Sequence, residues 1–178
     1  QRPGTDGALI NALCHVILRD GLEDKEYIAE RAENLEAFKE SIADCTPEWA
    51  EKITNVPASV IEEVAHTFAK GERAGIYYTM GITQHTTGTD NVKSLANLAM
   101  LCGNLGIPGG GVNPLRGQNN VQGACDMGGL PNVMTGYQPV TDLSVVKRME
   151  DAWGVNNLPT KPGLQVTQMI PKAHDGEL

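Results

Sequence analysis

The feature that most constrains this 178-residue chain is a glycine-rich stretch from Gly103 to Gly129. Nine of its 27 residues are glycine, and it contains three consecutive amide residues, Gln118, Asn119 and Asn120. Its apolar residues follow neither the helical nor the strand period, so we expect no regular element in it. Glycine permits positive φ and lets the backbone approach a ligand closely. The stretch is therefore either a surface connection or a ligand-binding loop.

A single basic residue lies inside this stretch. Arg116 is the only Lys or Arg between Lys93 and Lys147. A planar guanidinium among glycines and uncharged amides is suited to a carboxylate or a phosphate, because it can donate two parallel hydrogen bonds. If the stretch binds a ligand, Arg116 is the residue that would contact its anionic group; composition alone leaves this and a surface connection equally open.

The negative charge of the chain is concentrated in one region. The net charge is −8, and residues 20–51 hold 11 of the 22 acidic residues with only three basic ones, so the remainder is neutral. Such a distribution is typical of one solvated acidic face, and a docking patch is the alternative. Either interpretation excludes a nucleic-acid-binding surface, so we expect no nucleic-acid partner.

The four cysteines, at positions 14, 45, 102 and 125, form no C-x-x-C motif. We therefore expect no zinc or iron–sulfur site built from this chain alone, and reduced thiols in a cytoplasmic protein. No apolar run is long enough to span a membrane. Because the chain begins at Gln1 rather than Met, we expect it to be a fragment of a larger polypeptide.

Apolar periodicity and capping residues predict a helix-rich α/β fold. Ligands of such folds bind at the carboxyl ends of strands, which makes the loop Met80–His85 a second candidate site. With only one strand predicted, its partners are expected outside this chain. The predicted elements are helices over 6–20, 24–31, 34–43, 46–53, 57–70, 89–102 and 143–153, a last helix over 164–173 interrupted at Pro171, and a buried strand over 74–80.

The run NPLRGQNNVQGACDMG, residues 113–128, resembles the signature of molybdenum- or tungsten-dependent formate dehydrogenase catalytic subunits. Similar runs extend over nearly the whole chain, including MGITQHTTGTDNV and the closing PKAHDGEL. The resemblance implies part of a doubly wound, Rossmann-like αβα cofactor-binding domain. Residues 1–117 would be the C-terminal part of a molybdopterin-binding α/β domain, and residues 118–178 the signature loop and the start of the following α/β domain.

The resemblance also implies a cofactor and a substrate. Arg116 would contact formate, while Met80, Gln84 and Gln118 would contact a bis-molybdopterin guanine dinucleotide that carries Mo or W. Electrons would pass to iron–sulfur clusters in the remainder of the polypeptide or in a partner subunit. The family's cysteine motif for a 4Fe–4S cluster and its metal-ligating Cys or selenocysteine do not occur in this stretch. We therefore expect the parent to oxidise formate to CO2 and the isolated fragment to be inactive.

Two other functions remain open. One is a related molybdopterin oxidoreductase that acts on an oxyanion, and the other is a non-catalytic dinucleotide-binding or interaction module.

Several candidate residues also have purely structural interpretations. Asp6, like Thr5, is suited to capping the first helix. Cys125 is suited to being a small buried side chain in a glycine turn, and His85 to hydrogen bonding within its loop. Asn119, Gln122 and His85 are secondary candidates for ligand contact.

Overall fold

A computed structural model describes every residue, Gln1–Leu178. The chain divides into two compact units, Gln1–Leu115 and Arg116–Leu178. The predicted helix-rich α/β class is confirmed. The first unit contains α1 (Asp6–Arg19), α2 (Lys25–Arg31), α3 (Leu35–Ser41), α4 (Pro47–Thr54), α5 (Ala58–Lys70), β1 (Gly75–Tyr78), α6 (Met80–Thr83), α7 (Gly88–Leu101) and β2 (Gly111–Pro114).

The second unit is smaller. Its core contains Met134, Val140, Val145 and Val146, which are all buried. The elements of this unit are α8 (Val121–Asp126), β3 (Val133–Met134), β4 (Gln138–Pro139), α9 (Leu143–Trp153) and α10 (Val166–His174). None of the ten helices of the chain combines the length and the apolar character that a membrane span needs.

Helix α1 is the centre of the first unit and packs against α4, α5 and α7. Cys14, Val16 and Ile17 are fully buried at 0 % exposure. This burial raises the pKa of the Cys14 thiol, and burial likewise raises the pKa of Cys102 to about 11. A helix that is apolar on most of its faces is stable only when other helices surround it.

The predicted helices are confirmed to within two residues at each end. The capping residues explain this agreement at α4, where the Thr46 hydroxyl oxygen accepts from the Trp49 N–H at 3.2 Å and Pro47 is the first helical residue. Of Thr5 and Asp6, the two expected N-caps of α1, Thr5 occupies the cap position and Asp6 is the first helical residue. Thr5 holds the cap position without a capping bond, because its hydroxyl donates to the Arg2 carbonyl at 2.7 Å.

The prediction that β1 has no partner strand in this chain is also wrong. It pairs in parallel with β2, in the register Gly75 to Gly111 through Tyr78 to Pro114. The strand was expected to be buried, yet the Tyr77 side chain is 68 % exposed. β2 is only four residues long and lies among glycines, so its apolar pattern does not indicate a strand. The backbone hydrogen bonds to β1 are what define it.

Two further expectations fail. The glycine-rich stretch contains β2 and α8 rather than no regular element. Helix α10 continues past Pro171, where we expected an interruption. At its start the Gln165 N–H donates to the Gln168 side-chain oxygen at 3.0 Å, which stabilises the first turn. The helix therefore tolerates the loss of the one backbone hydrogen bond that Pro171 cannot make.

An ion-pair network joins the end of α1 to α5. Asp20 accepts from the Arg19 guanidinium at 2.8 Å and lies 2.7 Å from His66 Nε2, and Arg19 also contacts Glu62 at 3.0 Å. Hydrogen bonds from Arg19, and then from His66, hold the pKa of Asp20 well below its usual value. A carboxylate whose pKa is lower in the folded state than in the unfolded state stabilises the fold at pH values above the unfolded-state pKa.

We therefore predict that Asp20→Asn lowers the free energy of unfolding at pH 7. The difference from wild type should shrink as the pH falls below about 4, the ordinary pKa of Asp, towards the lower folded value. Denaturant unfolding at pH 7, 5 and 3 measures it. Asp44→Asn is the matched control, since Asp44 is exposed and takes part in no ion pair. A constant difference at all three pH values would contradict the prediction.

Candidate functional site

The segment after β1 forms the short helix α6 rather than the predicted loop. A four-residue helix leaves its carbonyl groups without partners inside the helix. Three of these carbonyl groups have partners beyond the helix. The Gln84 N–H donates to the Met80 carbonyl at 2.8 Å. His85 Nε2 lies 2.9 Å from the Gly81 carbonyl oxygen, and Asn91 Nδ2 donates to the Ile82 carbonyl at 3.0 Å. Residues beyond the helix therefore fix its geometry.

Gly88, the first residue of α7, allows α6 to approach it closely. A Cβ atom built on Gly88 would lie 2.1 Å from the Thr83 carbonyl oxygen. A side chain at Gly88 would thus separate the end of α6 from α7. The close approach depends on glycine, and it presents α6 at the carboxyl end of β1.

Met80 and Gln84, two of the predicted site residues, lie together on this segment. Both residues are exposed, and Gln84 Nε2 donates to the Met80 sulfur at 3.2 Å. A thioether is a weak acceptor, so this bond is easily exchanged for a stronger one. The pair offers an amide and a polarisable sulfur to a ligand at the surface of the first unit.

His85 is hydrogen-bonded, as its plainer interpretation predicts. Its Nε2 atom lies 2.9 Å from the Gly81 carbonyl oxygen and 3.7 Å from Asp6 Oδ2. The Asp6 carboxylate also accepts a hydrogen bond from the Gln1 side chain. Asp6 therefore has two partners on the segments around it and is not free to cap α1.

Arg116 and Gln118, the other two predicted site residues, lie in the second unit, ahead of α8. Both are exposed, as are Asn119 and Asn120. The Arg116 guanidinium takes part in none of the ion pairs of the structure. A cation without an ion-pair partner keeps its donors available to an anionic ligand.

The turn before α8 is tightly built. Asn120 has φ +51°, in the left-handed region that asparagine tolerates better than most residues. A Cβ atom on Gly123 would lie 2.6 Å from the Asn120 side-chain amide. Glycine at 123 therefore leaves the space that the amide occupies.

Tyr137 is a residue near Arg116 that the sequence did not indicate. It connects β3 and β4 with φ +59°, a conformation that is rare for a bulky residue and is enriched at functional sites. The Gly136 N–H donates to the Asp126 carbonyl at 2.7 Å, which fixes this turn against the end of α8. No periodicity or motif could have identified it, because the strands beside it are two residues long.

The phenol of Tyr137 lies within the electrostatic range of three side chains. Desolvation raises the pKa of this phenol, the Cys125 and Asp126 charges raise it further, and Arg116 lowers it. Cys125 was expected to be a small buried side chain in a glycine turn, but it is half-buried on α8. The thiol takes part in no group of side chains that could hold a metal ion.

No three His, Cys, Asp or Glu side chains of the chain come together in a way that could hold a metal ion. All four cysteines are free thiols. The exposed polar groups around α6 in the first unit are an amide and a thioether, which can donate only through the amide, and those ahead of α8 in the second unit are amides and one guanidinium. The amides suit the hydrogen-bonding edge of a pterin and the guanidinium suits an anionic group such as a phosphate, and neither set resembles the ligands of a bare metal ion.

Comparison with known proteins identifies the relationship. A family model described as molybdopterin oxidoreductase matches residues 1–178. This chain belongs to the molybdopterin oxidoreductase family. The donors around α6 and those ahead of α8 thus occur in a family that is named for its pterin cofactor.

Members of this family that are similar to the chain include formate dehydrogenases. The F420-dependent formate dehydrogenase subunit alpha of Methanocaldococcus jannaschii is 52 % identical over 96 % of the chain and 25 % of the relative. Formate dehydrogenase H of Escherichia coli is 46 % identical over 98 % of the chain and 24 % of the relative. The chain spans about a quarter of the length of the curated relatives that it matches.

The fold is also found in a solved structure. Acetylene hydratase from Pelobacter acetylenicus superposes with a TM-score of 0.59 over 61 % of this chain and 15 % of that chain, at 24 % sequence identity. At this identity the likeness concerns the fold alone.

We predict that Gly88→Ala lowers the free energy of unfolding by about 1–3 kcal/mol, because the new Cβ atom forces α6 away from α7. Gly81→Ala is the matched control, since a Cβ atom there would meet nothing within 4 Å. As a helical substitution it should be neutral or stabilising by up to about 1 kcal/mol. Denaturant unfolding of both variants measures the effect, and equal stability of the two would contradict the contact at Thr83.

Proposed function

We propose that this chain is part of a formate dehydrogenase that oxidises formate to CO2, one proton and two electrons. The observation that carries the proposal is Arg116, an exposed guanidinium without an ion pair inside the NPLRGQNNVQGACDMG run. The relatives named formate dehydrogenases, at 46–52 % identity over nearly the whole chain, support it.

The proposed cofactor is a bis-molybdopterin guanine dinucleotide that carries Mo or W. When bound, it supplies the two-electron redox chemistry, and the electrons leave towards iron–sulfur clusters elsewhere in the polypeptide or in a partner subunit. In the first unit, Met80 and the Gln84 amide would contact the pterin. In the second unit, the Gln118 amide would donate to it or accept from it. These exposed polar groups suit a ligand edge that is rich in hydrogen-bonding atoms.

Arg116 is proposed to bind the substrate. Formate consists of one carboxylate and one C–H bond, so the carboxylate is its only polar group for recognition. Two parallel hydrogen bonds from the guanidinium would fix both oxygens and thereby define the direction of the C–H bond. Orientation of this kind lowers the barrier without any proton transfer by the arginine itself.

The two compact units receive corresponding roles under this proposal. The first unit would be the C-terminal part of a molybdopterin-binding α/β domain. The second would supply the signature loop and the start of the next α/β domain.

An oxyanion such as nitrate would also suit the Arg116 guanidinium, so the intact protein should be assayed with formate and with nitrate. Nitrate reduction without formate oxidation would overturn the proposal.

We predict that Arg116→Lys keeps the charge and the cofactor content but reduces kcat/KM for formate about 10- to 1000-fold. This corresponds to roughly 1.4–4 kcal/mol of transition-state stabilisation, because an ammonium cannot form the two-pronged contact. Steady-state kinetics on metal-replete, full-length variants measures it. Arg148→Lys, at an exposed arginine on α9, is the matched control and should behave like wild type. Wild-type kcat/KM in Arg116→Lys would show that Arg116 is structural.

We further predict that Gln84→Ala and Gln118→Ala each lower cofactor content or activity per bound metal. A lost hydrogen bond to a buried partner costs roughly 1–3 kcal/mol. Pterin and metal per chain, together with activity per metal, should be measured in the full-length protein. Asn156→Ala removes an exposed amide elsewhere and serves as the control. If a glutamine variant matches wild type in all three quantities, that residue does not contact the cofactor.

A further inference from the structure

The further inference concerns His85, which binds a carbonyl group of α6 with its side chain. His85 Nε2 faces two acceptors, the Gly81 carbonyl oxygen at 2.9 Å and Asp6 Oδ2 at 3.7 Å. Neither a carbonyl nor an ionised carboxylate can donate, so Nε2 must carry the proton. The imidazole therefore donates to α6, and the Asp6 carboxylate favours the tautomer that allows this.

Both side chains of this pair are partly enclosed by the protein. The side chains of Asp6 and His85 are 13 % and 31 % exposed. A Cβ atom on Gly4 would lie 3.9 Å from His85 Cε1, so the segment before α1 lies against the ring. Because Asp6 is the first residue of α1, its carboxylate is carried by a helix in which Cys14, Val16 and Ile17 are fully buried.

The carbonyl that His85 binds lies between the two residues proposed to contact the pterin. Gly81 follows Met80 directly and precedes Gln84 by three residues, and all three residues are exposed. The other side chain that holds α6, Asn91, is 4 % exposed and fixed on α7. α6 is thus bound by two side chains, Asn91 on α7 and His85, whose ring lies near Asp6 of α1.

We propose that Asp6 and His85 form a positioning pair for the cofactor-contacting segment, in which His85 binds the Gly81 carbonyl and the nearby Asp6 carboxylate favours the Nε2–H tautomer that this bond needs. Neither residue touches the cofactor. The pair fixes the direction in which Met80 and Gln84 present their side chains. This inference rests on the proposed function, because it assumes that these two side chains meet a pterin.

The test uses full-length enzyme purified with its cofactor, in the variants His85→Phe, His85→Gln and Asp6→Asn. The first readout is the pterin that stays bound per chain after exhaustive dialysis, measured by the fluorescence of the oxidised pterin. The second is kcat per bound metal and KM for formate. The phenylalanine substitution keeps a ring but removes the donor, whereas the glutamine substitution keeps an N–H donor of similar reach.

We expect His85→Phe to retain about 3- to 10-fold less pterin than wild type, which is the fold-change of one lost hydrogen bond to a carbonyl. Its kcat per bound metal should fall while KM for formate stays unchanged, because Arg116 is intact. His85→Gln should recover most of both losses, and Asp6→Asn should lie between wild type and His85→Phe.

The chain offers a matched control in its other histidine–aspartate pair, His66 with Asp20, which joins α5 to α1 at 2.7 Å. His66→Phe removes this second pair, which does not contact α6, and should leave pterin retention and the kinetic constants at wild-type values. Equal losses in His66→Phe and His85→Phe would overturn the inference, since general destabilisation would then explain both.

Two other results would also overturn it. In the first, His85→Phe retains pterin and turns over like wild type. In the second, His85→Gln loses as much pterin as His85→Phe while Asp6→Asn retains as much as wild type, which would mean that neither the N–H donor nor the carboxylate positions the segment. A wild-type protein that carries no pterin would instead refute the proposed function, so the two failures are distinguishable. If His85→Phe does not fold, His85→Gln and Asp6→Asn still decide the question through their retained pterin.

Discussion

The burial of α1 is the constraint on which the first unit depends. Its side chains at Cys14, Val16 and Ile17 are completely enclosed, and α4, α5 and α7 pack around them. A helix surrounded in this way cannot shift without exposing apolar area, which costs roughly 25 cal/mol per Å². Both of its ends therefore provide fixed positions for polar side chains: Asp6 near α6 at one end, and Arg19 with Asp20 near α5 at the other.

The helices could be predicted from the sequence because their signals are local. Thr46 followed by Pro47 specifies the start of α4, and the Asp142 carboxylate accepts from the Ser144 N–H at 2.9 Å at the start of α9. Such caps involve residues that are neighbours in the sequence. The α/β class and the family followed from the same kind of information, since a signature motif is also a local pattern.

The parts that could not be predicted depend on non-local contacts. Strand β2 exists because the backbone of β1 binds it, and no residue from Gly111 to Pro114 indicates a strand by itself. The φ of Tyr137 follows from the anchoring of Gly136 to the Asp126 carbonyl. The geometry of α6 likewise depends on Asn91 and His85, whose side chains bind its carbonyl groups and which no apolar period in the sequence indicates. Of the candidate site, the four residues named from the motifs stay predictions, and the contacts that support them could not be predicted from those motifs.

The parallel pairing of β1 with β2 has a consequence for how this region folds. The two strands are separated in the chain by the whole of α6 and α7. Closing so long a loop loses chain entropy, which the packing of α7 on α1 helps to offset, so strand pairing is coupled to helix docking. The segment that carries Met80 and Gln84 lies inside this loop. Its geometry therefore depends on the hydrophobic packing of α7 on α1 as well as on its own hydrogen bonds.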